Sequence, residues 1–170
     1  MVMNAPRPCS DSMQQLVITG ASGQLGRRTA EHALALVEPQ RLILVTRRPD
    51  LLSDLAARGA QVRFGDFDDP ASLHTAFHGA QHLLLISAVD LARRVAQHRA
   101  AIDAAVAIGV RRIVYTSMIS PQAPSPAAVA PSHWQTEAAL QQCGAAWTML
   151  RNSLYADYQL PEAQQAIQHG

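Results

Sequence analysis

The chain has 170 residues, a formal net charge of +1, 48% hydrophobic residues and 16% charged residues. That length suits one domain, and folding at this size buries about 70% of the unfolded chain's surface, enough for a true core. The composition excludes a disordered chain, and near-neutral charge gives nucleic-acid binding little support.

The basic pairs Arg27-Arg28, Arg47-Arg48, Arg93-Arg94 and Arg111-Arg112 are scattered along the sequence rather than clustered. Cys9 and Cys143 are the two cysteines, and neither has metal-ligand spacing. Neither a metal site nor a disulfide framework is expected, and a reducing cytoplasm is the default compartment. No apolar run approaches the ~20 residues of a membrane span.

In chain order, residues 1–15 carry Pro6, Pro8, Ser10, Asp11 and Ser12 without periodicity, which predicts a mobile tail. Residues 16–18 are a short apolar strand. Three glycines spaced three apart follow at once, Gly20, Gly23 and Gly26, within Gly20-Ala21-Ser22-Gly23-Gln24-Leu25-Gly26. A helical pattern through Leu25, Ala30, Ala33, Leu34 and Val37 comes next. Strand, glycine turn and helix together form the context of a dinucleotide fingerprint. Gly20 suits the tight turn, Gly23 lets backbone approach a pyrophosphate, and Gly26 lets helix pack on strand. A glycine-rich turn capping an ordinary helix would show the same spacing; its place after the first strand favours the fingerprint.

The apolar run within 41–46 predicts a second strand buried on both faces. A helix over 51–58 stops at Gly59, and 61–64 is a third strand. The turn 65–70 leads to a helix ending near Gly79, with Asp69 as its cap and Pro70 as its first residue. Residues 82–87 are the fourth strand, 91–108 a long helix stopped by Gly109, and 112–116 the fifth strand. The segment 121–131 holds four prolines and reads as a surface loop. A helix over 132–142, a sixth strand over 147–150 and a helical segment over 153–168, broken at Pro161, complete the chain. Six alternations of strand and helix predict an α/β fold of Rossmann type. Its sheet is parallel and doubly wound, strand order 3-2-1-4-5-6, with helices on both faces. A ligand belongs beyond the carboxyl ends of the strands, between the first and fourth.

Arg47 follows the second strand, where an acidic residue would suit NAD and an arginine suits a 2′-phosphate. Arg48 and Thr46 add charge and a hydroxyl there, so NADP(H) is the expected cofactor. Asp66 and Phe67 follow the third strand, beside the expected adenine; a helix-capping turn is the competing account. Ile86 and Ser87 end the fourth strand, where small residues let a ribose pass. Tyr115, Thr116 and Ser117 end the fifth, where a nicotinamide ring would sit. His32, His74, His78, His82 and His169 read as surface residues and His98 as structural filler. His133 and Glu137 share one helix face at i,i+4. On local sequence alone, they are a histidine beside a carboxylate.

Together these motifs resemble the NmrA-like group of atypical short-chain dehydrogenases, and within it the quinone-oxidoreductase type. The matching pieces are residues 19–26, Arg47, Gly65-Asp66-Phe67, residues 84–87, Gln97-His98, residues 109–117, the His133/Glu137 helix and residues 147–152. The resemblance implies an NAD(P)-binding domain over 16–158 that holds NADPH and delivers hydride to a quinone-like small-molecule acceptor. It leaves a homo-oligomer open and invokes neither nucleic acid nor membrane. Two features depart from the pattern. Val129 and His133 stand where short-chain dehydrogenases carry a tyrosine and a lysine. The catalytic residue is therefore unassigned. His133, which the resemblance places near the nicotinamide ribose, is the candidate, as a positioning group. Family members also continue further, so 159–170 would begin a truncated C-terminal substrate region. An NADP(H)-sensing regulator without catalysis is the alternative function.

Overall fold

Six parallel strands form one sheet in the order β3-β2-β1-β4-β5-β6. They are β1 (Gln15–Ile18), β2 (Leu42–Thr46), β3 (Gln61–Phe64), β4 (Ala80–Leu85), β5 (Arg112–Met118) and β6 (Ala146–Asn152). The computed structural model describes residues 14–122, 124–153, 155 and 160–169. The predicted doubly wound α/β architecture and strand order are both found.

The strands form because their apolar runs can be buried on both faces. All five residues of β2 are buried. Side chains alternate across the sheet, so neighbours in β2 feed different layers. Ile43 and Val45 join Val17, Leu83, Leu85 and Ile113 on one face, under α3 (Pro70–Phe77), α4 (Arg94–Ala107) and α5 (Ala130–Gln142). Leu42 and Leu44 join Ile18 on the other, under α1 (Gln24–Ala33) and α2 (Ser53–Ala57). The sheet separates the two layers, and at its centre β1 pairs with β4, Ile18 opposite Leu84.

Several boundaries differ from the sequence expectations. Gln15 already belongs to β1, so the predicted tail is one residue too long; residues 1–13 lie outside the described residues. The helix expected over 51–58 is a 3₁₀ turn, Pro49–Leu52, followed by the five-residue α2. Strand β4 begins and ends two residues earlier than expected, which leaves Ile86 and Ser87 in the loop beyond it. Helix α4 starts at Arg94 rather than Leu91. Helix α5 starts at Ala130, because Pro131 serves as a first-turn residue instead of closing the loop. Both β5 and β6 run longer, paired from Arg112↔Ala146 to Met118↔Asn152. The last helix, α6 (Leu160–His169), has Pro161 in its first turn rather than at a break. The expected boundary at 158/159 lies outside the described residues. The cap on α3 is as expected: Asp69 accepts from the N–H groups of Ala71 and Ser72.

Candidate functional site

The turn after β1 is shaped by backbone demands. Gly20 has φ +60°, a left-handed value that favours glycine. The Gly23 N–H donates to the Gly20 carbonyl at 2.9 Å, and the Ala21 N–H donates to the Val45 carbonyl at 3.1 Å. The hydroxyls of Ser22 and Thr46 lie 2.7 Å apart, which ties the turn to the end of β2. Gly23 is the N-cap of α1 and brings no side chain to it. The first-turn N–H groups of α1 therefore lack intrahelical acceptors and carry the positive end of the helix dipole. A Cβ on Gly26 would sit 2.2 Å from the Gly20 carbonyl oxygen, so only glycine fits there.

A cavity of about 670 Å³ opens beyond the carboxyl ends of β1, β2 and β4. Among the expected residues, Gly20, Ser22, Gly23, Gln24, Leu25, Gly26, Arg47, Asp66, Phe67, Ile86 and Ser87 line it. Ala21 is fully buried beneath the turn. Ala88, next to Ser87 in the same stretch of small residues, lines it too; sequence reasoning missed Arg28, Asp90, Arg93 and Gln97, which also line it. A signal for the arginines was present. Three of the four basic pairs send a member to this cavity: Arg28, Arg47 with Arg48, and Arg93. The pairs are scattered in sequence and gathered in space. The partner Arg27 instead turns to Glu31 and Asp54. Arg93 bridges Asp90 and Asp68, each at 2.8 Å.

Tyr115, Thr116, Ser117 and His133 do not line this cavity. They form a buried polar cluster between β5, α4 and α5. The Tyr115 hydroxyl lies 2.7 Å from His133 Nδ1. The Thr116 hydroxyl accepts from the Ser87 N–H at 2.9 Å, so Thr116 touches the cavity through Ser87. The Ser117 hydroxyl donates to Glu137 at 2.7 Å, and Arg151 completes the carboxylate's shell at 2.7 and 3.0 Å. His133 and Glu137 thus share a helix face but take different partners.

The electrostatics follow from burial. Desolvation, then the Arg94 charge, pulls the His133 ring down to about 4, against a smaller pull upward from Glu137. Burial, then Arg94 and His133, lowers His98 to about 3. Burial also drives the Tyr115 phenol well above its ordinary value. For Glu137, burial is the largest influence and pushes upward. Arg151 and Ser117 outweigh it and hold the carboxyl below the ordinary range. His133 is therefore a buried histidine, 6% exposed, whose hydrogen-bond partner is Tyr115 rather than the carboxylate one turn on. Among the remaining histidines, His82 is half-buried, with Nε2 2.6 Å from Gln14 Oε1, so it is partnered. His32, His74 and His78 are exposed. The side chain of His169 lies outside the described residues. No group of described residues could hold a metal, and no described helix is long and apolar enough to cross a membrane.

A parallel sheet with its crevice over the reversal of strand order, walled by a glycine turn and a helix N-terminus, defines a Rossmann-type nucleotide-binding protein. Residues 20–169 match the family model described as NAD(P)H-binding, and the chain belongs to that family. It is 39% identical over 155 residues to quinone oxidoreductase 2 of Escherichia coli, covering 91% of this chain and 54% of that protein. The crystal structure of the E. coli NADPH-dependent quinone oxidoreductase with NADPH superposes with a TM-score of 0.87, over 92% of this chain and 55% of that one. The Citrobacter sp. triphenylmethane reductase complexed with NADP(H) gives 0.83 at 34% identity, over 89% and 55%. An NmrA-like family domain-containing oxidoreductase of Aspergillus flavus is 29% identical over 147 residues, 83% of this chain and 48% of that one. The resemblance to NmrA-like and quinone-reducing proteins is borne out. The chain spans about half the length of these relatives.

Proposed function

We propose that this chain is the cofactor-binding part of an NADPH-dependent reductase whose acceptor is a quinone-like small molecule. The observation that carries the reading is the glycine turn and the arginines converging on one cavity. Gly23 lines it where a side chain would intrude, and first-turn N–H groups suit a pyrophosphate. Arg47 supports the NADPH reading: it lines the cavity, is exposed, and has no hydrogen bond or ion pair to another described residue, so its guanidinium is free to take a 2′-phosphate. Asp66 and Phe67 form the wall assigned to adenine, and Ile86 and Ser87 the wall assigned to ribose. Bound NADPH supplies a hydride. A quinone so reduced becomes a stabilised hydroquinone anion and takes its proton from water, so the reading requires no tyrosine acid. Cytoplasmic residence goes with this reading, as does a substrate-covering region beginning at 159.

Calorimetric titration tests it. NADPH should bind more tightly than NADH. Arg47→Ala should lose one charge-assisted contact, about 1.5–3 kcal/mol or about 10- to 150-fold in NADPH affinity, with NADH little changed. Equal losses for both nucleotides would overturn the 2′-phosphate assignment.

Cofactor sensing without chemistry is the second reading. The observation that favours it is the engagement of His133, whose Nδ1 is taken up by Tyr115. NADPH oxidation that stays at background with a small quinone, on a version extended to the relatives' length, would favour the sensor.

A further inference from the structure

Ala88 lines the cavity, and both of its backbone groups are held by side chains of α4. Its N–H donates to His98 Nε2 at 2.9 Å. Its carbonyl accepts from Arg94 Nε at 2.6 Å. Each of these side chains continues to α5. His98 Nδ1 lies 2.9 Å from the Thr136 hydroxyl, and that hydroxyl donates to the Ser132 carbonyl at 2.8 Å. Arg94 Nη1 donates to the Ser132 hydroxyl at 3.2 Å, and that hydroxyl donates to the Val129 carbonyl at 2.8 Å. The hydrogen bonds close a ring: Ala88, His98, Thr136, Ser132, Arg94, and back to Ala88.

Every proton in the ring has one place. Nε2 accepts, so Nδ1 must carry the hydrogen and donate to Thr136, which spends its own hydrogen on Ser132. His98 is therefore a neutral imidazole of one tautomer. Two i,i+4 pairs face each other, Arg94/His98 on α4 and Ser132/Thr136 on α5. The four side chains belong to residues only 6%, 0%, 8% and 0% exposed. Breaking a bond inside so buried a ring leaves a donor or acceptor without water to replace its partner. The His98 ring also meets the edge of Phe67, a second cavity-lining residue, with centroids 6.3 Å apart.

We propose that His98 and Arg94 are positioning residues of the cofactor cavity: through Ala88 they fix its β4–α4 wall, and through Ser132 and Thr136 they couple that wall to the first turns of α5. The proposal rests on reading the cavity as the dinucleotide site. It assigns no contact between His98 and the cofactor. It assigns the ring the task of making the wall and α5 move, or stay still, as one unit.

Hydrogen exchange of the 170-residue chain, followed by mass spectrometry with and without NADPH, together with NADPH titration, tests this. In the native chain, NADPH should slow exchange over residues 86–90 and also over 130–137. Thr136→Val cuts the ring at nearly constant volume and spares the anchor on Ala88. It should keep NADPH affinity within about threefold and lose the protection of 130–137. His98→Leu removes the acceptor for Ala88 and should weaken NADPH about tenfold. His98→Gln, whose amide oxygen can accept from Ala88, should regain most of that loss. A merely structural histidine would not show this rescue. If His98→Leu does not fold, Thr136→Val and His98→Gln carry the test. The proposal is overturned if NADPH leaves 130–137 unprotected in the native chain, or if Thr136→Val transmits protection as the native chain does. It is also overturned if either His98 variant departs from its expected affinity. A native chain that does not bind NADPH would instead overturn the cofactor reading itself, and this proposal with it.

Discussion

Lowering the pH from 6.5 to 4 is expected to remove on the order of 5 kcal/mol of folding stability, through two histidines alone. His98 and His133 are held near 3 and 4 in the folded chain, chiefly by burial and then by charges around them. In the unfolded chain both return to about 6.5. Between those values the unfolded state binds protons that the folded state excludes. Stability therefore falls as pH falls, by up to about 1.4 kcal/mol per pH unit for each histidine. The slope fades as pH rises through the unfolded value, and from about pH 7.5 upward both rings are essentially neutral in both states. Glu137 acts in the same direction further down. Its folded value is depressed, so its contribution is present above the ordinary carboxylate range and lost as pH falls through the folded value. Urea unfolding at half-unit steps from pH 7 to 4.5 measures the effect. The window from 6.5 to 5 is the cleanest, because few carboxylates titrate there. His98→Gln should flatten the slope, even if it is less stable at neutral pH. An unfolding free energy that stays constant across the window would rule out two buried neutral histidines.

The second large effect reverses an ordinary sign. Replacing a glycine inside a helix by alanine normally stabilises by about 0.5–1 kcal/mol. Gly26 lies within α1, yet Gly26→Ala should destabilise by about 3 kcal/mol, at the upper end of what overpacking does. The new Cβ would lie 2.2 Å from the Gly20 carbonyl oxygen and 2.8 Å from Ala21 Cα. Both obstacles are backbone, so no side chain can swing aside. The urea midpoint should fall with little change in slope, and NADPH binding should weaken with it. Gly23 makes the contrast. Its Cβ would meet only the Gly20 carbonyl oxygen, at 3.2 Å. Gly23→Val should leave the fold largely intact and abolish dinucleotide binding. A Gly26→Ala variant as stable as the native chain would mean that the turn can open away from the helix.

How far the sequence reached depended on how residues satisfy their backbones. The strands were legible because Leu42, Ile43, Leu44 and Val45 are apolar without interruption, and burial on both faces requires that. The glycine turn was legible because a positive φ and a 2.2 Å approach leave few residue choices. Ends were harder. The fourth strand was expected from 82, where the apolar run begins, yet Ala80 pairs with Gln15 across the β1–β4 seam, and pairing decides where a strand begins. Pro131 looked like loop, since a proline fits a loop and a helix N-terminus equally well. The buried polar cluster was the least legible part. Arg94, Ser132 and Thr136 are residue types that normally face water, and only the packing of α4 on α5 takes them out of it. His98 read as filler for the same reason. Its partners lie 10 residues away at Ala88 and 38 away at Thr136. For Tyr115, the fifth strand was placed correctly, but strand alternation turns the side chain into the core rather than toward the cavity.

The strand order carries a further consequence, for the route by which the chain folds. Strands 1 to 3 and strands 4 to 6 each pair with sequence neighbours, so each half can zip from within. A single join connects them. Thr19 reaches across it to the Leu84 carbonyl, 65 residues further along, and its hydroxyl accepts the Ile86 N–H at 3.0 Å. Closing that join carries the loop entropy of the whole intervening segment, which makes it the natural late step. The cavity lies over the same join, with the glycine turn on one bank and residues 86–90 on the other. Whatever binds there clasps the halves together and stabilises the closed sheet by mass action. Nucleotide in the refolding buffer should therefore slow unfolding more than it speeds folding.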